Sequence, residues 1–405
     1  MSRVEDLLMR LAPDGVPFVP LGEVGTLVRG NGMPKSDFSE TGVGCIHYGQ
    51  VYTHYGTWAT ETISFVPPEK AARLVKVDPG DVIITNTSEN LVDVCQAVAW
   101  LGSGPIVTGG HATVLKHDQD PKYLSYYIQT PEFFAAKRTH AAGTKVIEVS
   151  ASNLARIRVP LPPREVQAEI VRILDGFQEL EAELEAELEA RRTQYAHYRD
   201  ALLAESGAPA KPLGELGIFA RGRRFTKADY ARAGIPSIHY GEIYTDYGVA
   251  TSESKSRVRE DLRAALRFAT PGDLVIAGTG ETVAEVAKAV AWLGADDVAI
   301  HDDCFAYRHT LEPRYASYAF QTRSFQDQKA KFVSESKVVR ISGTNLARIV
   351  IPVPPLAEQR RIADTLDSFD ALVSDLSSGL PAEIAARRQQ YEHYRDRLLT
   401  FEEAR

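Results

Sequence analysis

The sequence is poor in cysteine: Cys45, Cys95 and Cys304 stand singly across 405 residues. That spacing excludes a disulfide framework and the CxxC pairs of a zinc knuckle, and the three read as small packed side chains. Long apolar runs are missing too. Nothing approaches the roughly 18 consecutive apolar residues of a membrane span, and the opening Met-Ser-Arg-Val-Glu-Asp-Leu-Leu has no uninterrupted apolar core. Neither a span nor a secretory signal is therefore predicted, and the cytoplasm is the expected compartment. Catalytic signatures are absent: there is no GxxxxGKS/T nucleotide loop and no Asn-Pro-Pro-Tyr or Asp-Pro-Pro-Tyr methylation motif. An excess of positive charge is also lacking, the net charge being −8.

What is present is repetition. Pro20 to Thr62 aligns without a gap, at an offset of 192, onto Pro212 to Ser254, with 19 identities in 43 positions. Pro79 to Gly102 matches Pro271 to Gly294 with 13 identities in 24, and Asn153-Leu-Ala-Arg returns as Asn345-Leu-Ala-Arg. This is a tandem duplication. With 44% hydrophobic residues, the chain can build two or three packed domains. Within each copy, Cys45-Ile-His-Tyr-Gly-Gln-Val-Tyr-Thr and Ser237-Ile-His-Tyr-Gly-Glu-Ile-Tyr-Thr carry the aromatic and β-branched residues of half-buried strands. Pro-Gly-Asp before Val-Ile-Ile or Leu-Val-Ile marks a turn entering a strand. Short helices are expected near Pro121 to Lys137 and Pro313 to Lys331. Each copy closes on a proline bracket, Val159-Pro-Leu-Pro-Pro163 and Ile351-Pro-Val-Pro-Pro355, which stops a ladder and gives a rigid exit.

Beyond each bracket lies a helix. In the first, Ile170, Leu174, Phe177, Leu184, Leu188, Tyr195, Tyr198 and Leu202 make a narrow apolar seam at 4,3 spacing that wants a partner helix. The second repeats it with Ile362, Leu366, Phe369, Val373, Leu376 and Leu380, and Gln389-Gln-Tyr-Glu-His-Tyr-Arg-Asp-Arg-Leu-Leu399 echoes Thr193-Gln-Tyr-Ala-His-Tyr-Arg-Asp-Ala-Leu-Leu203. Four extra residues after Asp375, with Gly379 and Pro381 at the insertion, predict that the second helix is broken while the first is continuous. The predicted class is α+β: two mixed α/β domains at 1–163 and 207–355, each followed by a long helix region at 164–206 and 356–405. The two helices would form an antiparallel intramolecular coiled coil.

Residues 164–206 carry 5 basic and 11 acidic groups, and 356–405 carry 7 and 10, so the helices hold the acidity. The globular copies sum to −2 and +3. A weak overall field neither excludes nor argues for DNA, because affinity follows the local basic face.

The candidate contacts are the loops that open each copy. Arg29, Asn31 and Lys35, and Arg221, Arg223, Arg224 and Lys227, place donors on Gly-containing turns, where arginine can fork onto guanine edges and lysine can meet phosphate. Against this stands a solvated turn beside a strand. A second set is His47, Gln50, Tyr52 and His54 with His239, Glu242, Tyr244 and Asp246. Tyr48 and Tyr240 are as readily core as contact, while Gln50 against Glu242 and His54 against Asp246 could distinguish bases, amides pairing with adenine and carboxylates with cytosine. Weaker candidates are Thr85 to Asn90, Ala277 to Thr282, and Gly143-Thr-Lys145 with its counterpart Glu335-Ser-Lys337. The last matches half of a nuclease Glu-x-Lys signature, but no Pro-Asp lies suitably upstream and the other copy lacks it. His197 and His393 have no second ligand one turn away, so metal ligation gives way to packing or docking.

The duplicated domains, the exit motifs Pro160-Leu-Pro-Pro-Arg-Glu-Val-Gln167 and Pro352-Val-Pro-Pro-Leu-Ala-Glu-Gln359, and the segments Leu-Pro-Ala-Glu-Ile384 and Gln-Tyr-Glu-His-Tyr-Arg-Asp-Arg-Leu-Leu399 resemble the specificity subunit of a type I restriction-modification system. The resemblance covers nearly the whole chain. It implies that each domain is a target-recognition domain for one half of a bipartite site in double-stranded DNA. It further implies that the coiled coil sets the spacing and docks two methyltransferase subunits, and that motor-nuclease subunits join for cleavage. Tyr195, Tyr198, Arg199, Tyr391, Tyr394 and Arg395 are the docking candidates. The chain would be non-catalytic alone, with no cofactor of its own; S-adenosylmethionine, ATP and Mg are expected on the partner subunits. The Leu-Glu-Ala units at Leu180, Leu184 and Leu188 resemble the tetrapeptide repeats that tune spacer length in some members. The reading from another class is a duplicated protein-binding scaffold without DNA specificity. A third is a recognition module acting in trans for a single-chain methyltransferase-nuclease.

Overall fold

The computed structural model describes residues 3–205, 207–334, 338–374 and 379–404. It divides into two compact units, residues 1–183 with 384–405, and residues 184–383. Glu335-Ser-Lys337, Leu376 and the side chain of Val373, all named above, lie outside the described residues.

In the first unit the central sheet has five strands in the order Gly25–Arg29, Ala112–His117, Val82–Thr85, Ala97–Trp100, Trp58–Ala59. All pairings are antiparallel except the last. A four-stranded sheet runs Ser64–Val66, Val43–Ile46, Ile106–Thr108, Val75–Val77. The second unit repeats both orders: Gly217–Arg221, Cys304–His309, Leu274–Ala277, Ala289–Trp292, Ala250–Thr251, and Ser256–Val258, Tyr230–Ile238, Val298–Ile300, Phe268–Ala269. Val82–Thr85 and Ala97–Trp100 are buried along their whole length, as are Leu274–Ala277 and Ala289–Trp292. This explains their continuous apolar character, since a strand covered on both faces has no reason to alternate. Gly42 and Gly234, equivalent positions, have φ of +139° and +143°. A Cβ there would meet the carbonyl oxygens of Val66 and Val258 at 2.3 and 2.2 Å, so only glycine fits.

The aromatics near Pro121 and Pro313 turn out to be anchors. Each predicted short helix is a pair, Pro121–Ile128 with Pro131–His140, and Pro313–Gln321 with Arg323–Ala330. Asp120 and Glu312 cap the first helices, with proline at the first turn where its missing N–H is not needed. Tyr123 Oη donates to the Pro160 carbonyl (3.0 Å) and Tyr126 Oη to Asp175 (2.8 Å). Tyr315 and Tyr318 do the same to Pro352 (2.9 Å) and Asp367 (2.6 Å). In each copy these bonds tie the first short helix to the proline exit and the long helix beyond it.

The terminal glutamine of the exit motif has a structural reason. Gln167 is fully buried; its Oε1 accepts from the Asp120 N–H (3.1 Å) and its Nε2 donates to the Pro162 carbonyl (2.8 Å). Gln359 makes the same pair of bonds with Glu312 (2.8 Å) and Pro354 (2.7 Å). An amide supplies both a donor and an acceptor to a site that needs one of each.

The first exit helix is continuous from Arg164 to Ala204, 41 residues. The second helical region is Leu356–Ser374 followed by Gly379–Leu398. Gly379 has φ +68°, and Pro381 lies in the first turn of the helix it opens. In the first unit, the opening half of the 41-residue helix runs antiparallel to Gly379–Leu398: Phe177 stacks on Tyr394 (5.4 Å between ring centres) and Arg388 pairs with Glu181. In the second unit its closing half runs antiparallel to Leu356–Ser374, with Tyr198 stacked on Phe369 (5.8 Å). Ile170, Leu174, Leu188 and Tyr195 of the expected seam are buried. At the far end Leu203, rather than Leu202, is the buried residue. The C-terminal residues return to the first domain, where the Val16 N–H donates to the Glu402 carbonyl (2.9 Å) and Ala404 donates to Val16 (3.0 Å).

Candidate nucleic-acid interface

The segment expected to be a strand at His47 and at His239 is a strand followed by a short helix. Val43–Ile46 pairs in the sheet, and Tyr48–Thr53 is helical; Tyr230–Ile238 and Tyr240–Thr245 repeat the switch. The reason is a capping box. The His47 N–H donates to Gln50 Oε1 (2.9 Å) while His47 Nδ1 accepts from the Gly49 N–H (3.2 Å). His239, Glu242 and Gly241 do the same at 3.0 and 3.2 Å. Two reciprocal bonds at the first turn outweigh the β preference of tyrosine, valine and threonine. Since Nδ1 must accept, each capping imidazole is neutral with its proton on Nε2. Burial, helped by Lys35 and His111, lowers the His47 pKa; burial and His301 lower that of His239.

This placement divides the second candidate set. Gln50 donates to Ser64 Oγ (2.7 Å) and Glu242 accepts from Ser256, so both polar heads have partners inside their domains. Tyr244 Oη donates to the Thr279 carbonyl (2.7 Å), and Tyr52 is half-buried. His54 and Asp246, at the ends of the short helices, are exposed, Asp246 being paired with Lys255.

Arg29, Asn31 and Lys35 are exposed, but two of the three are held. Arg29 donates to Glu148 (3.1 Å), and Asn31 donates to the Arg73 carbonyl (2.9 Å). Arg221, Arg223, Arg224 and Lys227 are exposed around the buried Phe225. Arg221 Nε donates to the Asp302 carbonyl (2.7 Å). In the polar loops, residues 85–88 and 277–280 are buried, Asn86 bonding Val149 and Thr113, so only their far ends face solvent. Gly143-Thr-Lys145 is exposed.

Sequence reasoning missed one histidine in each copy. His111 lies over Tyr48 (4.8 Å between rings) and His301 over His239 (4.4 Å). The repeat gives no signal for them, because His111 aligns with Asp303 and His301 with Gly109. His301, Asp302 and Asp303 bring potential ligand atoms within 4.8 Å of one another. His301 has no vacant nitrogen for a metal, however, since Nε2 donates to the Phe225 carbonyl (3.1 Å) and Nδ1 accepts from the Asp303 N–H (3.2 Å). Also missed were Lys137 and Lys329. They are buried and donate to the carbonyls of Val92 and Val94, and of Ala284 and Val286.

On the helices, Tyr195 is buried, Tyr391 is half-buried, and Tyr198 and Tyr394 are exposed. Arg199 and Arg395 reach over the rings of Tyr195 and Tyr391 and pair with the neighbouring Asp200 and Asp396. Tyr195 and Tyr391 therefore serve packing first, leaving Tyr198 and Tyr394 as the aromatic surface of each helix pair. His197 and His393 are exposed beside them.

Residues 13–190 and 209–386 each match the family model for the type I restriction modification DNA specificity domain. The chain belongs to that family. It is 30% identical over 299 residues to the type I restriction enzyme EcoR124I/EcoR124II specificity subunit of Escherichia coli, covering 69% of this chain and 70% of that one. It is 28% identical over 319 residues to a putative type I restriction enzyme specificity subunit of Haemophilus influenzae, covering 75% and 79%. A solved structure from work on complex assembly and conformational transition of the type I R-M system has the same fold, with a TM-score of 0.65 over 95% of this chain and 97% of that one at 18% identity. The two family matches coincide with the two globular copies and run on into the helix beyond each. Among the described residues, no helix is long and apolar enough to cross a membrane.

Proposed function

We propose that this chain is the DNA-recognition subunit of a type I restriction-modification enzyme, non-catalytic on its own. Each globular copy reads one half of a bipartite double-stranded site, and helix length sets the gap between the halves. Methyltransferase and motor-nuclease subunits supply the chemistry, with S-adenosylmethionine, ATP and Mg bound on them. One observation carries this reading: two specificity domains with identical strand orders stand in one chain, each locked by the same tyrosine and glutamine bonds to the helix that follows it. Exposed donors on the opening loops suit phosphate and base edges, while the acidic helices do not. Tyr198 and Tyr394 are the residues best placed to meet the methyltransferase subunits.

The test is to delete one Leu-Glu-Ala-Glu tetrad, residues 184–187, and sequence the methylome of the host. Four residues amount to about 6 Å of helix, or roughly two base steps. The gap should therefore shorten by about that amount with both half-site sequences kept. Altered half-site bases, or no bipartite modified motif in the parent strain, overturn the proposal; the second result would favour a protein-binding scaffold.

A further inference from the structure

The two copies differ in charge at one structurally equivalent place. In the first, Glu148 sits in the short strand pair Ile147–Glu148 with Thr87–Ser88, in register with Thr87. In the second, the pair Val339–Arg340 with Thr279–Gly280 has the same register, Arg340 opposite Thr279. The position that is glutamate in one copy is arginine in the other. Its neighbour is arginine in both, Arg29 and Arg221, on the first strand of each central sheet.

The consequence is a closed arrangement and an open one. Arg29 is neutralised by Glu148 at 3.1 Å. Among the described residues Arg221 makes no ion pair; its Nε is held by the Asp302 carbonyl, and its terminal nitrogens have no hydrogen-bond partner among them. Among the described residues Arg340 makes no ion pair. Arg221 and Arg340 line one cleft of about 630 Å³ with Asp302, Asp303, Thr279 and Asn345. Asn345 is committed to the Phe332 carbonyl (2.9 Å), and Asp303 accepts from Thr279 (3.2 Å). That leaves the two arginines and the Asp302 carboxylate, one oxygen of which lies 3.2 Å from His301 Nε2, to meet a ligand. The first copy lacks that carboxylate, having Gly110 in its place.

A phosphate would be drawn by the arginines and repelled by the acids. A G·C pair matches both, because guanine offers the O6 and N7 acceptors to arginine while cytosine N4 offers a donor to a carboxylate. Resting on the DNA-reading role proposed above, we propose that Arg221 and Arg340, with Asp302, read a G·C pair in the half-site of the second copy. Glu148, by holding Arg29, keeps the first copy indifferent at the equivalent position.

Methylome sequencing of hosts carrying the wild-type gene, Arg340→Gln, Arg340→Lys or Glu148→Ala tests this, with melting curves of the purified full-length chains as the folding control. Arg340→Gln should lower discrimination at a single base pair of one half-site on the order of tenfold or more, leaving every other position unchanged, and Arg340→Lys should lower it less. Glu148→Ala should add a guanine preference at one position of the other half-site. An unchanged motif, or a uniform fall in methylation across all sites from a folded Arg340→Gln chain, overturns the inference, the latter marking a phosphate contact. If Arg340→Gln melts early, Glu148→Ala decides alone: no gained preference refutes it. A wild-type methylome without any bipartite motif would instead refute the DNA-reading role itself.

Discussion

The two copies repeat one set of buried tyrosine, glutamine and lysine bonds and vary other residues around it. Tyr123 and Tyr315, Tyr126 and Tyr318, Gln167 and Gln359, and Lys137 and Lys329 make equivalent contacts in each. Elsewhere the Arg29–Glu148 pair becomes two arginines, the Gln50–Ser64 bond returns as Glu242–Ser256 with its direction reversed, and the histidine stacked on the short helix, exposed as His111 but buried as His301, comes from a different position of its loop. A duplicated reader has to hold its backbone still while its contacts diverge, and buried polar bonds do this because breaking one leaves an orphaned group. If that division is right, substitutions at paired buried positions should give equal effects in both copies, and those at the surface should not.

The largest effect is expected at the lysine clamps. Lys137 and Lys329 hold the carbonyls just before Cys95 and Ala287, which adopt the left-handed conformation (φ 59° and 66°) that L residues avoid. Replacing either lysine by methionine removes two hydrogen bonds at once and leaves the buried Val94 or Val286 carbonyl without its lysine. Urea unfolding should show a loss of about 3 kcal/mol for each. Unequal losses, one near zero, would break the equivalence.

The next effect separates the copies. His117 and His309 are equivalent and half-buried with Nε2 enclosed, each accepting at Nδ1 from the N–H two residues on (3.0 and 3.1 Å). Burial lowers both pKa values, His309 to about 4 from an ordinary 6.5. For His117 the nearby Asp81 and Asp118 work against burial, while Arg164 works with it. A lowered histidine pKa means that the unfolded chain takes the proton first. Stability is therefore full above pH 6.5 and lost as the pH falls toward 4, on the order of 2–3 kcal/mol for His309. His309→Gln should flatten the acid limb of a pH–stability curve measured by urea unfolding. If His117→Gln flattens it more, the account of burial is wrong.

How much of this could be read beforehand follows from distance along the chain. The duplication, the proline exits, the continuous first helix and the aromatic seam are patterns within a few tens of residues or at one fixed offset, and identical residues carried them. The helix at Tyr48–Thr53 was misread because Tyr, Val and Thr favour strands, while its cap is a histidine rather than the usual Ser, Thr, Asp or Asn. The clamp lysines sit on short helices whose sequence gives no sign that one lysine points inward. The Arg29–Glu148 pair joins residues 119 apart, and no local rule brings them together. Half of the candidate contacts proved to be committed inside the domain for the same reason: residue type suggests a chemistry, but only tertiary neighbours show whether it is already used.

The smallest effect tests the misread element itself. His47→Ala and His239→Ala each remove an N-cap acceptor from a helix of six residues, so each should cost about 0.5–1 kcal/mol, with asparagine restoring most of it. The copies should then part in a second measurement. Gln50 and Glu242 take the reciprocal bond, so exchanging them as Gln50→Glu and Glu242→Gln keeps both capping boxes and should change the free energy of urea unfolding by less than about 0.5 kcal/mol. A large loss from either exchange would mean that the identity at this position is fixed by the scaffold, not left free for the surface to vary, and the line between the two regions would have to be drawn further out.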